Sequence, residues 1–176
     1  MNTKAGRVGP ELQFEIEQFY YREAELLDNH QYADWYDLFS SDARYWMPTR
    51  SNRLLREHDR EASAEGEFAL FDDNKKTLGW RVKQMDSLTH WAENPRSRTR
   101  HLVSNVRIAP AQAEGEFEVK SNFICYRNRL SDEVDIWVGE RTDLLRRDQD
   151  QELHIARRKI LLDQNVVLSK NLSVFF

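Results

Sequence analysis

Five histidines, His30, His58, His90, His101 and His154, are the residues of this chain best suited to ligate a metal ion. No two stand at the i, i+4 spacing that puts two ligands on one helix face, and no HExxH pattern is present. His90 and His101 flank the start of a β-rich region. With Asp86 or Glu93 they could form a two-histidine, one-carboxylate iron site, although histidines held by ordinary hydrogen bonds are the commoner arrangement. Cys125 is the single cysteine. It can neither close an internal disulfide nor supply the paired thiolates of a cysteine-rich metal site or iron–sulfur cluster, and a buried, inert thiol is expected. General acid–base chemistry would need a carboxyl or imidazole beside apolar side chains, whose desolvation raises a carboxyl pKa. Asp34, Asp37, Tyr36, Tyr45 and His90 are the groups available. Asp34 and Asp37 equally read as the solvated side of a helix that presents Trp35. No Gly-rich phosphate loop and no GxSxG motif is present.

The arginines form the other chemical pattern. Arg96, Arg98, Arg100 and His101 place four basic groups in six residues. They repel one another unless acidic partners lie near, and Glu140, Asp143 or a neighbouring subunit could supply them. A structural ion-pair cluster is the expectation. The run Arg141–Lys159 is locally basic but interleaved with Asp and Glu, as on a solvated or inter-subunit strand face. The net charge of −4 argues against nucleic acid as the main partner, which would need a basic face. No apolar run approaches the ~18 residues of a membrane span, and the start MNTKAGRVGP lacks the apolar segment of a signal peptide. A cytoplasmic location is expected.

These groups need elements to position them. Pro10 suits the first turn of a helix. Leu12, Ile16, Phe19, Leu26 and Leu27 follow at helical spacing, with Glu23 breaking the apolar stripe. A shorter helix carries Tyr32, Trp35 and Phe39 on one face. Ala43–Pro48 reads as an aromatic strand, and Thr49–Phe71 as a long surface loop. Asp72 or Asp73 then caps a third helix carrying Leu78, Val82 and Met85. Four strands follow: Arg98–Ile108, Glu116–Leu130, Val134–Arg147 and Glu152–Asp163. Their short separators favour antiparallel neighbours. In the last strand the side-chain phase changes between Leu153, Ile155 and the run Arg157, Arg158, Lys159, which predicts a β-bulge. Residues 1–176 are expected to form one domain, with 1–9 a flexible arm.

Burial of Leu172, Val174, Phe175 and Phe176 in the tail would contribute roughly 1.5–3 kcal/mol each. Fixing its six backbone residues costs about 1–2 kcal/mol each. The two nearly cancel, so the tail must also gain hydrogen bonds or a second surface. It is expected in the core or at a subunit contact, where its carboxylate could pair with an arginine. Helices first and antiparallel strands after give an α+β layout, a curved sheet wrapped around N-terminal helices. This layout matches the cone-shaped folds of the nuclear-transport-factor-2 or cystatin-like kind.

Five stretches carry a more specific likeness: FYYREAELLD (Phe19–Asp28), YWMP (Tyr45–Pro48), WAENPRSRTRHLVSNV (Trp91–Val106), YRNRL…VGERTDLLR (Tyr126–Arg146) and ILLDQ…NLSVFF (Ile160–Phe176). Together they resemble the beta, or small, subunit of bacterial aromatic-ring-hydroxylating dioxygenases, in the biphenyl, cumene and toluene branch. The middle loop, Ser51–Phe71, departs most from that pattern. The resemblance implies a subunit without cofactor or active site of its own. Its large alpha partner would carry a Rieske [2Fe-2S] cluster and mononuclear Fe(II), in a hexamer of three large and three small subunits. Electrons would arrive from NADH through a reductase and a ferredoxin, and the product would be a cis-dihydrodiol. Candidate contact residues with the large subunit or other small subunits are Arg96, Arg98, Arg100, His101, Arg141, Arg146, Arg157, Arg158, Val174, Phe175 and Phe176. The rival reading is a stand-alone isomerase or dehydratase acting in the cone.

Overall fold

The structure is a computed structural model that describes residues 8–52, 54, 56, 61–85, 87 and 93–176. His58, Asp86, His90, Trp91 and most of the expected N-terminal arm lie outside the described residues, and with them the proposed iron ligands His90 and Asp86. Helix α1 spans Pro10–Asp28, with Pro10 in its first turn, where a missing N–H costs nothing. Its buried face is Ile16, Tyr20, Glu23, Leu26 and Leu27. His30, at φ 59°, ends it in the left-handed conformation that stops helices. Helix α2 is short, Tyr32–Asp37, and buries Tyr32 and Trp35. Phe39, expected on this helix, instead opens strand β1, Phe39–Pro48.

The expected loop Thr49–Phe71 ends in a strand, β2, Ala69–Asn74. Asp72 and Asp73 belong to this strand, and the capping role falls to Asn74, whose Oδ1 accepts the Thr77 N–H at 3.0 Å. Helix α3, Lys75–Met85, follows and buries Leu78, Val82 and Met85 as its spacing predicts. The remaining strands are β3 (Arg98–Pro110), β4 (Glu116–Arg129), β5 (Glu133–Arg147) and β6 (Leu153–Leu162).

All six strands form one sheet in the order β2-β1-β6-β5-β4-β3. The expected fold class, α+β with a curved sheet around the N-terminal helices, holds with one change. Strand β1 pairs with β6 in parallel, while every other pair is antiparallel. The anticipated bulge in the last strand is present: Leu144 pairs with Arg157 but Leu145 with Ile155, so Ala156 is the extra residue. That one residue decides what the strand presents. Before it Leu153 and Ile155 point inward; after it Arg158, Ile160 and Leu162 do, and Arg157 is turned to solvent. A second bulge lies between Ser104 and Arg107, where Asn105 adopts φ 55°. Gly139 sits where β5 and β6 approach closely, since a Cβ there would collide with the Leu161 carbonyl oxygen. The core fills the hollow between the concave sheet face and the helices, around Trp35, Tyr45, Phe123, Trp137, Ile155 and Ile160.

Candidate functional site

The hollow of the cone contains a charged cluster. Glu23, on the apolar stripe of α1, is 1% exposed and meets two guanidinium groups from the sheet. Arg141 Nη1 donates to Glu23 Oε2 at 3.0 Å, and Arg158 donates to both Glu23 oxygens. Trp35 Nε1 adds a bond to Oε1 at 3.0 Å. Arg158, 0% exposed, also forks onto Asp143, with Nε on Oδ1 at 3.0 Å and Nη2 on Oδ2 at 2.7 Å. Tyr20 donates its hydroxyl to Asp143 Oδ2 at 2.9 Å. Two side-chain carboxylates face two guanidinium groups, so the side-chain charges balance, as burial favours.

This arrangement is unsuited to proton transfer. Burial alone would raise the Glu23 pKa, but the charges of Arg158 and then Arg141 overcome it and hold the carboxyl at about 2. A carboxylate so weakly basic, with both oxygens occupied, is far from the near-neutral value a general base needs. Burial, and next the Asp143 charge, push the Tyr20 hydroxyl well above its ordinary value. Burial opposes the charge on Arg158, yet Asp143 and Glu23 keep its pKa well above the usual guanidinium range.

The tail closes the hollow. Phe175 stacks on Trp35 with ring centroids 4.4 Å apart and meets Tyr32 edge-on. Phe176 lies between Phe123 and Trp137, at 5.3 and 5.7 Å. Its N–H donates to the Tyr45 hydroxyl at 2.9 Å, and Arg158 Nη1 donates to its main-chain oxygen at 2.9 Å, the arginine contact expected for the tail. His101 reaches the Phe175 carbonyl through Nε2 at 2.9 Å and Asp28 through Nδ1 at 2.7 Å. Both neighbours are acceptors, so both ring nitrogens must carry protons. Burial lowers the His101 pKa, but the hydrogen bond to Asp28 and the contact with Cys125 outweigh it and bring it to about 10. Further out, Arg127 donates to Asn171 Oδ1 at 2.6 Å, and Ser173 Oγ meets Glu93.

Of the candidate contact arginines, Arg141 and Arg158 are therefore buried, and their guanidinium groups serve the cone instead of a surface. The tail residues Val174, Phe175 and Phe176 take the core alternative. His101 is inward-facing, while Arg96, Arg98, Arg100 and Arg157 are exposed. Arg146 forms ion pairs with Asp42 and Glu116. Among the described acid–base candidates, Asp34 and Asp37 are exposed on α2, and Tyr45 is occupied by the tail. His30 is bound to the Ser97 carbonyl and His154 to Asp148. Among the described residues no group of three His, Cys, Asp or Glu side chains could hold a metal ion. Sequence reasoning offered Asp143 to the Arg96–His101 group, but Asp143 pairs with Arg158 while Arg100 and His101 meet Asp28, and it missed Glu23 as the other organising carboxylate. The break in the α1 stripe was the available signal.

The outer face of the same sheet is its opposite. Leu102, Ile124 and Val138 pair in one row across β3, β4 and β5. Tyr126 and Ile136 form the next row with Arg100, and Val134 lies in the row after, with Arg98. All six apolar side chains are exposed. Contiguous exposed apolar rows rimmed by arginine mark interaction surfaces. Among the described residues, no helix is long and apolar enough to cross a membrane.

Comparison with known proteins places this architecture. The chain is 48% identical over 175 residues to the biphenyl 2,3-dioxygenase beta subunit of Rhodococcus jostii, covering 99% of this chain and 94% of the relative. It is 48% identical over 174 residues to a benzene 1,2-dioxygenase beta subunit of Pseudomonas putida, covering 98% and 93%. A solved naphthalene 1,2-dioxygenase with indole bound in its active site has a chain of the same fold. The TM-score is 0.86 at 24% identity, over 97% of this chain and 89% of that one. The profile of the family described as ring hydroxylating beta subunit matches residues 22–169. The family profile and relatives 48% identical over nearly the whole chain lead to one conclusion: the chain belongs to the ring-hydroxylating beta subunit family.

Proposed function

We propose that this chain is a scaffold that clamps the catalytic large subunits of an aromatic-ring dioxygenase into a hexamer of three large and three small chains. The observation that carries the reading is the contrast between the cone, where the buried carboxylates Glu23 and Asp143 are both held by arginines, and an outer sheet face with six exposed apolar side chains. These side chains are 37–54% exposed, so covering the rest of each would contribute roughly 1 kcal/mol, about half the value for a fully exposed side chain. Arg96, Arg98, Arg100 and Arg157 belong to the proposed contact surface, with Arg146 at its edge. In this reading the large subunit holds the Rieske [2Fe-2S] cluster and mononuclear Fe(II). Reductase and ferredoxin pass it electrons from NADH, and the whole chain acts as one cytoplasmic domain. The substrate class is biphenyl or an alkylbenzene, converted to a cis-dihydrodiol.

Expression with and without a large subunit tests this. The chain alone should be colourless and inactive. Together the two should co-purify as a brown hexamer that oxygenates the ring. Turnover by the small chain alone, with a ligand in its cone, would instead support an isomerase or dehydratase.

A further inference from the structure

After β6 the chain forms no helix or strand. Val166 and Leu168 are exposed, Leu168 at 89%, so a surface tether joins the sheet to the tail. The tail then enters the cone without pairing to any strand there. Its main chain is recognised by side chains from three strands: Tyr45 of β1, His101 of β3 and Arg158 of β6. Its two rings lie in an aromatic box of Trp35, Phe123 and Trp137. Core segments normally satisfy their main chain through helices or ladders. Directed side-chain hydrogen bonds to the main chain, with rings in apolar pockets, are the way proteins hold a bound ligand. A cavity of about 170 Å³ runs along the flank of the tail beside Phe71 and Met85, so one side of it is open.

We propose that the cone is a binding site for a peptide segment carrying two adjacent aromatic residues, occupied here by the chain's own Asn171–Phe176, and that it accepts the same segment in trans. The tether makes binding intramolecular, at an effective concentration of order millimolar. Cutting it converts the tail into a free ligand of the same site. The inference stands on the cone alone and is independent of which partner covers the outer face.

The test uses the full chain with a protease recognition sequence in place of Val166–Lys170, folded first and then cut. Fluorescein-labelled Asn-Leu-Ser-Val-Phe-Phe is added, and binding is read by anisotropy. A second preparation carries His101→Ala, which has no side-chain donor for the Phe175 carbonyl and speeds release. The cut chain should keep its circular dichroism and bind one labelled peptide, with unlabelled peptide competing. The same peptide with Phe175→Ala and Phe176→Ala should bind at least ~100-fold more weakly, because two buried rings are lost. Tails found crossed between two copies would also support the site. Unfolding on cutting, no exchange within a day in either preparation, or equal binding of the ring-less peptide would overturn it.

Discussion

The two faces of one sheet each depart from the usual division, the inner one by adding charges to an apolar core and the outer one by exposing apolar rows among polar residues. Sheets ordinarily turn apolar side chains to the core and polar ones to water. Here the concave face carries Arg127, Arg141, Asp143 and Arg158 into the interior, while the convex face exposes Leu102, Ile124, Ile136 and Val138. The inner charges cost desolvation and recover part of it through ion pairs, such as those of Arg141 with Glu23 and Arg158 with Asp143. The outer apolar groups leave burial energy unused in the single chain. Stability is therefore concentrated inside, and the capacity to associate is concentrated outside. Substitutions on the two faces should separate those properties.

The largest effect is expected at Glu23. Glu23→Gln leaves Arg141 and Arg158 with one carboxylate between them, and an uncompensated buried charge costs about 3–5 kcal/mol. Urea unfolding should show this as a lower midpoint. Acid should reproduce it. The folded pKa of Glu23 is depressed from 4.5 to about 2, so its contribution is present above pH 4.5 and is lost as pH falls through 2. The loss is on the order of 3 kcal/mol. The gap between parent and variant should close over that window. An unchanged gap at pH 2 would mean the cluster is held by packing instead.

A smaller effect is expected at His101, which joins the inner face to the tail. His101→Gln removes a charge-assisted bond to Asp28 and should cost about 2 kcal/mol. The folded pKa is raised from 6.5 to about 10. The contribution is therefore complete below pH 6.5 and disappears as pH rises through 10. Denaturation midpoints of parent and variant should converge at high pH.

Much of this was legible from residue patterns. The four long strands and α1 followed from periodicity and turn residues, and the bulge at Ala156 showed as a phase change. The consequence of the bulge was harder to see, because one extra residue swaps Arg158 inward and Arg157 outward. Strand β2 was hidden because its buried Asp73, paired with Arg81, breaks the apolar alternation that marks a strand. The parallel pairing of β1 with β6 joins segments about a hundred residues apart, and no local signal encodes it. Glu23 stood out as an exception in its stripe. Its meaning depended on two arginines whose direction only the assembled sheet fixes.

On the outer face the expectation reverses. Ile136→Asp, at a position 54% exposed, should change the urea midpoint of the isolated chain by less than about 0.5 kcal/mol. In the proposed hexamer it should weaken co-purification with the large subunit at least ~10-fold, or about 1.4 kcal/mol. A fall in the isolated chain's stability comparable to that of Glu23→Gln would show that the face already carries structural weight.

The smallest effect on the fold is expected at Arg100, where the two faces meet. Its side chain is 72% exposed and approaches Asp28 at 3.3 Å. Asp28 already accepts from the His101 ring at 2.7 Å and from its backbone N–H at 3.1 Å. The Arg100 charge is thus surplus to a carboxylate that is otherwise satisfied, and exposed pairs contribute little. Arg100→Ala should lower stability by less than about 0.5 kcal/mol, and 0.5 M salt should erase even that. Assembly provides the sharper reading, because Arg100 shares a row with Tyr126 and Ile136. An arginine at the edge of a contact loses its water when the partner arrives, so its removal should weaken assembly by more than it weakens the fold. Equal small losses in both measurements would place the contact surface elsewhere on the molecule.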